Sequence, residues 1–215
     1  MTTRLKSLGA VMIAAGLFFS AVGGFAFYKV QEGAASLQAF SAAQGVELAY
    51  NTDGQLVDRG ETAGADAIMA LLTDDWGYPV VGGELNPADP LVNTASEYMY
   101  QMATVAYHTL HGTQTIVLEE SVEYNGELFA AGEHEFSIDG RYWADFDREH
   151  PLEGPAREKA WTATAHALIG ELGVGTVTAQ ALTLGLGMAG IAGGLGGTLF
   201  ILGAGLIWAA RGKEQ

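Results

Sequence analysis

Two histidines three positions apart, His108 and His111, have the spacing best suited to metal chemistry in this chain. In a helix their imidazoles would share one face, so both could bind the same transition metal. Two ligands are too few for a metal centre, and the HExxH pattern of zinc proteases is absent. The simpler interpretation is a pair of polar residues at a helix C-terminus, where positive charge is favourable. We therefore predict no metal and retain His108 and His111 as candidate ligands.

Acidic residues alternate at Asp145, Asp147 and Glu149, a spacing that would place three carboxylates on one side of a strand. Such a set could bind Ca²⁺ through oxygen ligands. An EF-hand loop beginning at Asp145 would need glycine at its sixth position and glutamate at its twelfth, where the chain has His150 and Ala156. We interpret the segment as a solvated acidic strand end.

Hydrolytic chemistry has little support in the sequence. Paired carboxylates such as Asp74 and Asp75 are inevitable where acidic residues are this abundant. No GxSxG nucleophile motif occurs, and no glycine-rich phosphate loop follows a predicted strand outside the apolar segments. We predict no catalytic residue and no cofactor-binding residue, expect no cofactor, and do not expect an enzyme.

Two aromatic motifs are the remaining candidates for binding. One contains Trp76, and the other is the run of Arg141, Tyr142 and Trp143. Tryptophan, tyrosine and arginine dominate interface energetics, so either motif could anchor a partner. Packing of the rings in a domain core is the simpler interpretation.

The composition excludes several classes of function. The 215 residues include 25 acidic and 10 basic side chains, for a net charge of −15. Nucleic-acid binding needs clustered lysine and arginine, so no nucleic-acid partner is expected. Without cysteine there is no disulfide, zinc-thiolate site or iron–sulfur cluster. The 49% hydrophobic content is too high for a disordered chain.

Two apolar segments, residues 8–30 and 184–209, hold the hydrophobic excess. Each is long enough to cross a hydrocarbon core, which takes about 20 helical residues. A cleaved signal peptide is the alternative for the first segment, but the apolar run is longer than a signal sequence needs and lacks a clean cleavage site. The second segment is too rich in glycine for a helix in water, whereas a lipid bilayer enforces a helix. We predict two transmembrane helices.

Basic residues predict the orientation of these helices. Arg4 and Lys6 precede the first span, and Arg211 and Lys213 follow the second, while Lys29 at the other end of the first span opposes them weakly. The positive-inside rule therefore predicts a multi-pass protein of the plasma membrane with both termini in the cytoplasm. The predicted segments are a cytoplasmic N-terminus at 1–7, transmembrane helix 1 at 8–30, an acidic extracytoplasmic domain at 31–183, transmembrane helix 2 at 184–209 and a cytoplasmic C-terminus at 210–215.

Small residues recur every fourth position in both spans. This spacing lets helix backbones approach closely, and it predicts a helix–helix contact whose partner the sequence leaves open. It could join the two spans, two copies of the chain, or a different protein. The predicted packing residues are Gly16, Ser20 and Gly24 in the first span and Gly185, Ala189, Gly193 and Gly197 in the second.

The segment between the spans has the pattern of a mixed α+β domain. Its best helix is predicted over 94–111, where Thr94 and Glu97 have the spacing of a capping box. Apolar residues cover most sides of this helix, so we expect it to be largely buried. Further helices are predicted over 65–72 and 156–172.

Turn motifs separate the predicted strands. A hairpin is predicted over 46–58, and the pairs Asn125–Gly126 and Asp139–Gly140 are typical of tight hairpin turns. The rhythm of strands and turns predicts an antiparallel β-meander. The strands of this meander are predicted at 114–119, 121–124, 128–131, 133–138 and 141–146.

These features favour a non-catalytic accessory or assembly subunit of a larger plasma-membrane complex, such as a respiratory or other membrane enzyme. Other membrane protein subunits are the expected partners, together with a basic partner for the acidic domain. Two alternatives remain open. One is an extracytoplasmic ligand- or metal-binding module, and the other is a membrane-tethered hydrolase that uses carboxylates.

Overall fold

The computed structural model describes residues 2–211 and has the predicted α+β class, with a long apolar helix at each end. The chain divides into two compact units. Residues 1–44 with 178–215 form the helical unit, and residues 45–177 form the central domain. Among the described residues the elements are α1 (Thr2–Gln44), α2 (Thr62–Ala70), α3 (Ala95–Leu110), β1 (Thr113–Leu118), β2 (Val122–Tyr124), β3 (Glu127–Phe129), β4 (Gly132–Ser137), α4 (Glu153–Ala160) and α5 (Ala163–Arg211).

Both α1 and α5 are long and apolar enough to cross a membrane. They contain 43 and 49 residues, so each is longer than the roughly 20 residues that a bilayer requires. Their outward surfaces are apolar, with Phe25 66%, Ile191 74% and Trp208 79% exposed. Apolar surface of this extent is stable in lipid and unfavourable in water, which supports a membrane protein.

Helix α5 begins earlier than the predicted second span. The helix predicted over 156–172 is divided, because α4 ends at Ala160 with Trp161 as its C-cap. Helix α5 then continues without a break to Arg211, through Gly170, Gly173 and Gly175, although glycine is a poor helix former. A Cβ at Gly175 would lie 2.6 Å from the ring of Tyr98. This glycine therefore allows α5 to approach α3 closely.

Helix α3 has the capping box that the sequence predicts. The hydroxyl of Thr94 accepts a hydrogen bond from the Glu97 backbone N–H at 3.4 Å, and the Glu97 carboxylate accepts one from the Thr94 N–H at 2.9 Å. Each residue of α3 is buried or half-buried, as predicted. Helix α3 packs against α2, and its C-terminal Leu110 joins the main hydrophobic core.

The main core of the central domain lies where α3, β1 and α4 meet. Ile138 is fully buried there, and Ile116 of β1 is 2% exposed. Leu71, Leu110 and Trp161 complete the contact from the surrounding helices. Burial of side chains of this size contributes about 1.5–3 kcal/mol each.

The strands form two separate antiparallel pairs, so the predicted meander is wrong. β1 pairs with β4 and β2 pairs with β3. The turn predicted at Asn125 and Gly126 does join β2 to β3, with φ values of 51° and 83°. The short β2–β3 hairpin is thus an insertion between the two strands of the longer pair.

The strand predicted over 141–146 is also wrong, because a 3₁₀ turn over Trp143–Asp145 replaces it. The Asp145 carboxylate accepts a hydrogen bond from the Tyr142 N–H at 2.8 Å, and the Asp145 N–H donates to the Tyr142 carbonyl at 2.9 Å. These local bonds compete with strand pairing.

The hairpin predicted over 46–58 is reduced to a single bridge between Tyr50 and Leu56. The side-chain oxygen of Asn51 accepts from the N–H groups of Asp53 and Gln55, at 3.0 and 2.9 Å, and holds the turn together. Helix α2 follows, and it continues as one π-helical turn over Leu71–Asp75.

Candidate functional site

The helical unit is built on a close contact between α1 and α5. Small buried residues recur at every seventh position of both helices, a period that keeps one seam facing its partner. The contact therefore joins the two long helices of one chain. The residues of this glycine seam are Gly9, Gly16 and Gly23 on α1 and Ala189, Gly196, Gly203 and Ala210 on α5.

The two backbones touch directly at this seam. A Cβ on Gly16 would lie 2.7 Å from the carbonyl oxygen of Gly196, and a Cβ on Gly203 would lie 2.6 Å from the carbonyl oxygen of Gly9. These distances are shorter than van der Waals contact. No larger side chain fits at these positions unless the helices move apart.

Several predicted packing residues lie at this contact. Gly16 and Ala189 are buried in the seam, and Ser20 borders it, because a Cβ on Gly196 would meet the Ser20 side chain and backbone. Gly193 also lies at the contact, because a Cβ on Gly23 would be 2.6 Å from the Gly193 backbone nitrogen.

The remaining predicted packing residues are placed differently. A Cβ on Gly185 would lie 2.8 Å from a methyl group of Val30, so this residue also faces α1. A Cβ on Gly24 or Gly197 would meet no described atom within 4 Å. The buried positions recur every seventh residue, and the four-residue spacing of Gly185, Ala189 and Gly193 also follows the side that faces α1, whereas Gly24 and Gly197 lie outside the contact.

A second glycine surface lies on the opposite side of α5. At 100° per residue, Gly187, Gly190, Gly194 and Gly205 lie roughly opposite Gly196. A Cβ on any of these four would meet no atom of the described residues within 4 Å. We call these four residues the open glycine face.

The histidines His108 and His111 have separate partners. His108 Nε2 lies 2.9 Å from Asp58 Oδ1, in a pair that is partly shielded from solvent. His111 Nδ1 lies 2.9 Å from the Tyr107 carbonyl oxygen one turn earlier in α3. Among residues 2–211, no three histidine or acidic side chains are close enough to hold a metal ion.

The three alternating acids do not act together. Asp145 caps the 3₁₀ turn, whereas Asp147 accepts a hydrogen bond of 2.6 Å from the Tyr124 hydroxyl. The Glu149 N–H donates to the other oxygen of Asp147 at 3.0 Å. The bond from Tyr124 lowers the pKa of Asp147 and raises the pKa of Tyr124 itself.

The two aromatic motifs, in contrast, are brought together. Trp76 Nε1 donates a hydrogen bond of 2.8 Å to the Tyr142 hydroxyl, across 66 positions of sequence. The Tyr142 ring stacks on Trp161, with centroids 5.8 Å apart, and His166 lies edge-on to both Trp143 and Trp161. We call these five residues the aromatic cluster. Tyr142 is 40% exposed and Trp161 is buried, so the cluster extends from the core to the surface.

Arg141 is bound on every side by the central domain. Its guanidinium lies 4.7 Å from the Phe136 ring and 4.8 Å from the Phe146 ring. It forms an ion pair of 3.1 Å with Glu153, and it donates to the backbone carbonyls of Ser137 and Ile138. Arg141 therefore links the strand, loop and helix that surround it and contributes to the packing of the domain.

Arg157 is a buried cation that sequence reasoning did not single out. Its guanidinium lies 3.8 Å from the Trp143 ring centroid, and the residue is 7% exposed. Its Nε and Nη1 atoms have no hydrogen-bond partner among the described residues, and the Glu158 carboxylate is 4.0 Å from Nη2. The spacing of four from Trp161, which places both on one helix face, is the signal that indicates its burial.

A second group of buried polar atoms lies on and beside α3. The hydroxyls of Tyr50 and Tyr100 are buried and have no hydrogen-bond partner in residues 2–211. Burial raises the pKa of both, and the charges of Glu97 on Tyr50 and of Asp58 on Tyr100 raise them further. Burial also raises the pKa of Glu97, against the hydrogen bonds that its carboxylate accepts.

Comparison with known proteins gives no family assignment. No protein-family model, curated protein or solved structure matches the chain.

Proposed function

We propose that this chain is a non-catalytic accessory or assembly subunit of a larger plasma-membrane complex. The open glycine face of α5 is the observation that carries the proposal. The side of α5 that contains Gly196 packs against α1. On the other side, no neighbouring element within the described residues packs against Gly190 or Gly194. Helix α5 therefore has two glycine-lined surfaces suited to close packing, and α1 occupies one of them.

Contact with lipid alone does not explain the open glycine face. Glycine weakens a helix relative to alanine and offers lipid no side chain to contact. In membranes, small residues at helical spacing are typical of positions where a neighbouring helix approaches closely. A helix of a partner subunit packed along Gly187, Gly190 and Gly194 would account for glycine at each of them.

The orientation in this proposal depends on charge. Arg4 and Lys6 at one end and Arg211 at the other favour cytoplasmic termini. The central domain is then extracytoplasmic. It has 23 acidic and five basic residues, a charge that would repel anionic headgroups and attract a basic partner surface.

Purification from native membranes in mild detergent tests the assignment as a subunit. We expect the chain to co-elute with other membrane proteins in fixed stoichiometry. The variant Gly194→Leu should release those proteins while the α1–α5 pair stays intact. Val11→Phe, at a position of α1 that is 65% exposed and about 200° around the helix from Gly9, is the control for added bulk and should retain them. A chain that purifies alone, as a monomer or homodimer, would contradict the proposal.

Labelling of introduced thiols tests the orientation, because the chain has no cysteine. Single cysteines at Ser36 and Ser121 should react with a membrane-impermeant maleimide in intact cells. A cysteine at Gln215, which lies outside the described residues, should react only after the membrane is opened. Labelling at Gln215 but not at Ser36 or Ser121 in intact cells would contradict the proposed orientation.

A second candidate function is a ligand-binding module, the first alternative that the sequence leaves open. A cavity beside α2 is the observation that favours it.

A further inference from the structure

A cavity of about 260 Å³ opens on the central domain beside α2. It is at the lower end of the size of small-molecule sites, which are typically about 300–1,000 Å³. Half of its lining residues have oxygen acceptors and half are apolar. The lining residues are Gln55, Leu56, Thr62, Ala65, Asp66 and Met69.

Helix periodicity explains why these side chains meet. Thr62, Ala65, Asp66 and Met69 occupy positions i, i+3, i+4 and i+7 of α2, which is one face of a helix. The opposite wall comes from the turn that Asn51 holds together through hydrogen bonds to its backbone. Both walls are therefore fixed by local structure before any ligand arrives.

The charge of the cavity is negative and uncompensated. Asp66 is the one charged residue in its lining; it is exposed to solvent, and within residues 2–211 its carboxylate has no hydrogen bond or ion pair. The Thr62 hydroxyl and the Gln55 amide oxygen provide further acceptors on the same lining, and the Gln55 oxygen also accepts a hydrogen bond of 3.1 Å from Asn51 Nδ2. The surrounding domain, with its large excess of acidic residues, raises the local concentration of cations.

The neighbouring helix α3 has a buried hydroxyl that the charge of Asp66 also reaches, although this hydroxyl does not line the cavity. Helix α3 packs against α2, and its Tyr100 is 3% exposed with a hydroxyl that has no described partner. The charge of Asp66 is one of those that act on the Tyr100 hydroxyl. Buried hydroxyls without partners are uncommon, because each costs about 1–3 kcal/mol.

We infer that this cavity binds a small organic ammonium ion, with its charge at Asp66 and its hydrocarbon part against Leu56, Ala65 and Met69. An ammonium group donates up to three hydrogen bonds, which suits a lining of acceptors. A metal ion suits the cavity less well, since Ca²⁺ takes six to eight oxygen ligands and half of this lining is apolar. The inference does not depend on the subunit assignment.

Titration of the full chain in detergent or nanodiscs with n-butylammonium, with 1-butanol as the uncharged analogue, tests the inference. We expect saturable binding of the amine and weaker binding of the alcohol. A carbon-13 label on the Met69 methyl should report the amine by a saturable shift in the unmodified protein. Asp66→Asn should weaken binding by about tenfold or more, as expected for the loss of one charged hydrogen bond.

Asp75→Asn is the matched control, because Asp75 is exposed like Asp66 but lies outside the cavity lining. Binding to this variant should stay within about twofold of the unmodified protein, as expected for a solvent-screened charge that does not touch the amine. Three results would overturn the inference: an amine that binds no better than butanol, equal weakening by both variants, or a Met69 methyl that does not respond. Displacement of the amine by stoichiometric Ca²⁺ would also overturn it in favour of a metal site. If Asp66→Asn fails to fold, the test rests on whether the Met69 methyl of the unmodified protein shifts saturably with the amine.

Discussion

Gly16 of α1 lies against Gly196 of α5 so closely that a Cβ on Gly16 would be 2.7 Å from the Gly196 carbonyl oxygen. Two helices meet here through their backbones, and no side chain separates them. Interdigitated leucines do not hold this pair; it depends on the absence of side chains along one seam. The stability of the pair should therefore be sensitive to any side chain added at the seam.

Gly16→Val should destabilise the α1–α5 pair, because the added methyl groups would overlap the facing backbone. Overpacking of this kind costs about 1–3 kcal/mol. Thermal unfolding of the full chain in detergent, followed by circular dichroism, measures the effect. Gly24→Val is the matched control on the same helix, since a Cβ there would meet nothing within 4 Å. Equal losses in both variants would show that helix propensity alone is responsible.

Thr94→Ala should destabilise the central domain by about 1 kcal/mol, because it removes the side-chain cap of α3. Urea unfolding of the full chain, followed by tryptophan fluorescence, measures this change. Thr94→Ser keeps a hydroxyl at the same position and should retain most of the stability. Similar losses in the serine and alanine variants would contradict the role of the cap.

The hydrogen bond between Trp76 and Tyr142 should appear as a coupling energy of about 0.5–1.5 kcal/mol. Trp76→Phe, Tyr142→Phe and the double variant form a mutant cycle that isolates it. The indole N–H resonance of Trp76 should also shift in Tyr142→Phe alone. Additive losses in stability, together with an unchanged indole signal, would exclude this bond.

The stability of the central domain should fall in acid partly through Asp147. The Tyr124 hydroxyl holds the pKa of Asp147 below its ordinary value of 3.8. The folded state therefore binds this proton less readily than the unfolded state. The stabilisation is present above pH 3.8 and is lost as the pH falls through the lower pKa of the folded protein.

Tyr124→Phe should raise the pKa of Asp147 toward 3.8, because the largest cause of its shift is removed. A carbon-13 titration of the carboxyl resonance measures the change. Tyr28→Phe, which alters a hydroxyl of the helical unit, should leave the Asp147 titration unchanged. An Asp147 titration that is the same in all three proteins would refute the assignment.

Local patterns in the sequence are enough to predict several elements of the fold. The capping box of Thr94 and Glu97 is contained in four residues, so spacing alone predicts where α3 begins. The turn at Asn125 and Gly126 needs two residues with positive φ, and that pair favours this conformation. In both cases the determining contacts lie within one turn of the chain.

Other elements depend on contacts that no local pattern contains. Gly175 resembles a helix breaker in isolation, but it is placed against Tyr98 by the packing of α5 on α3. The segment around Tyr142 has β-forming residues, yet Asp145 binds its backbone and Trp76 binds its ring. Sequence spacing identifies the small residues of the two long helices. Which of them face the other helix depends on where the backbone of that helix lies.

The glycine seam also affects the entropic cost of bringing α1 and α5 together. Glycine has no rotamers to lose, so joining α1 to α5 orders no side chains at the line where the backbones meet. Association inside lipid, where the hydrophobic effect gives no drive, then begins with a small entropic penalty. The pairing of α1 with α5 therefore has little side-chain ordering to oppose it, and it can be completed within a single chain.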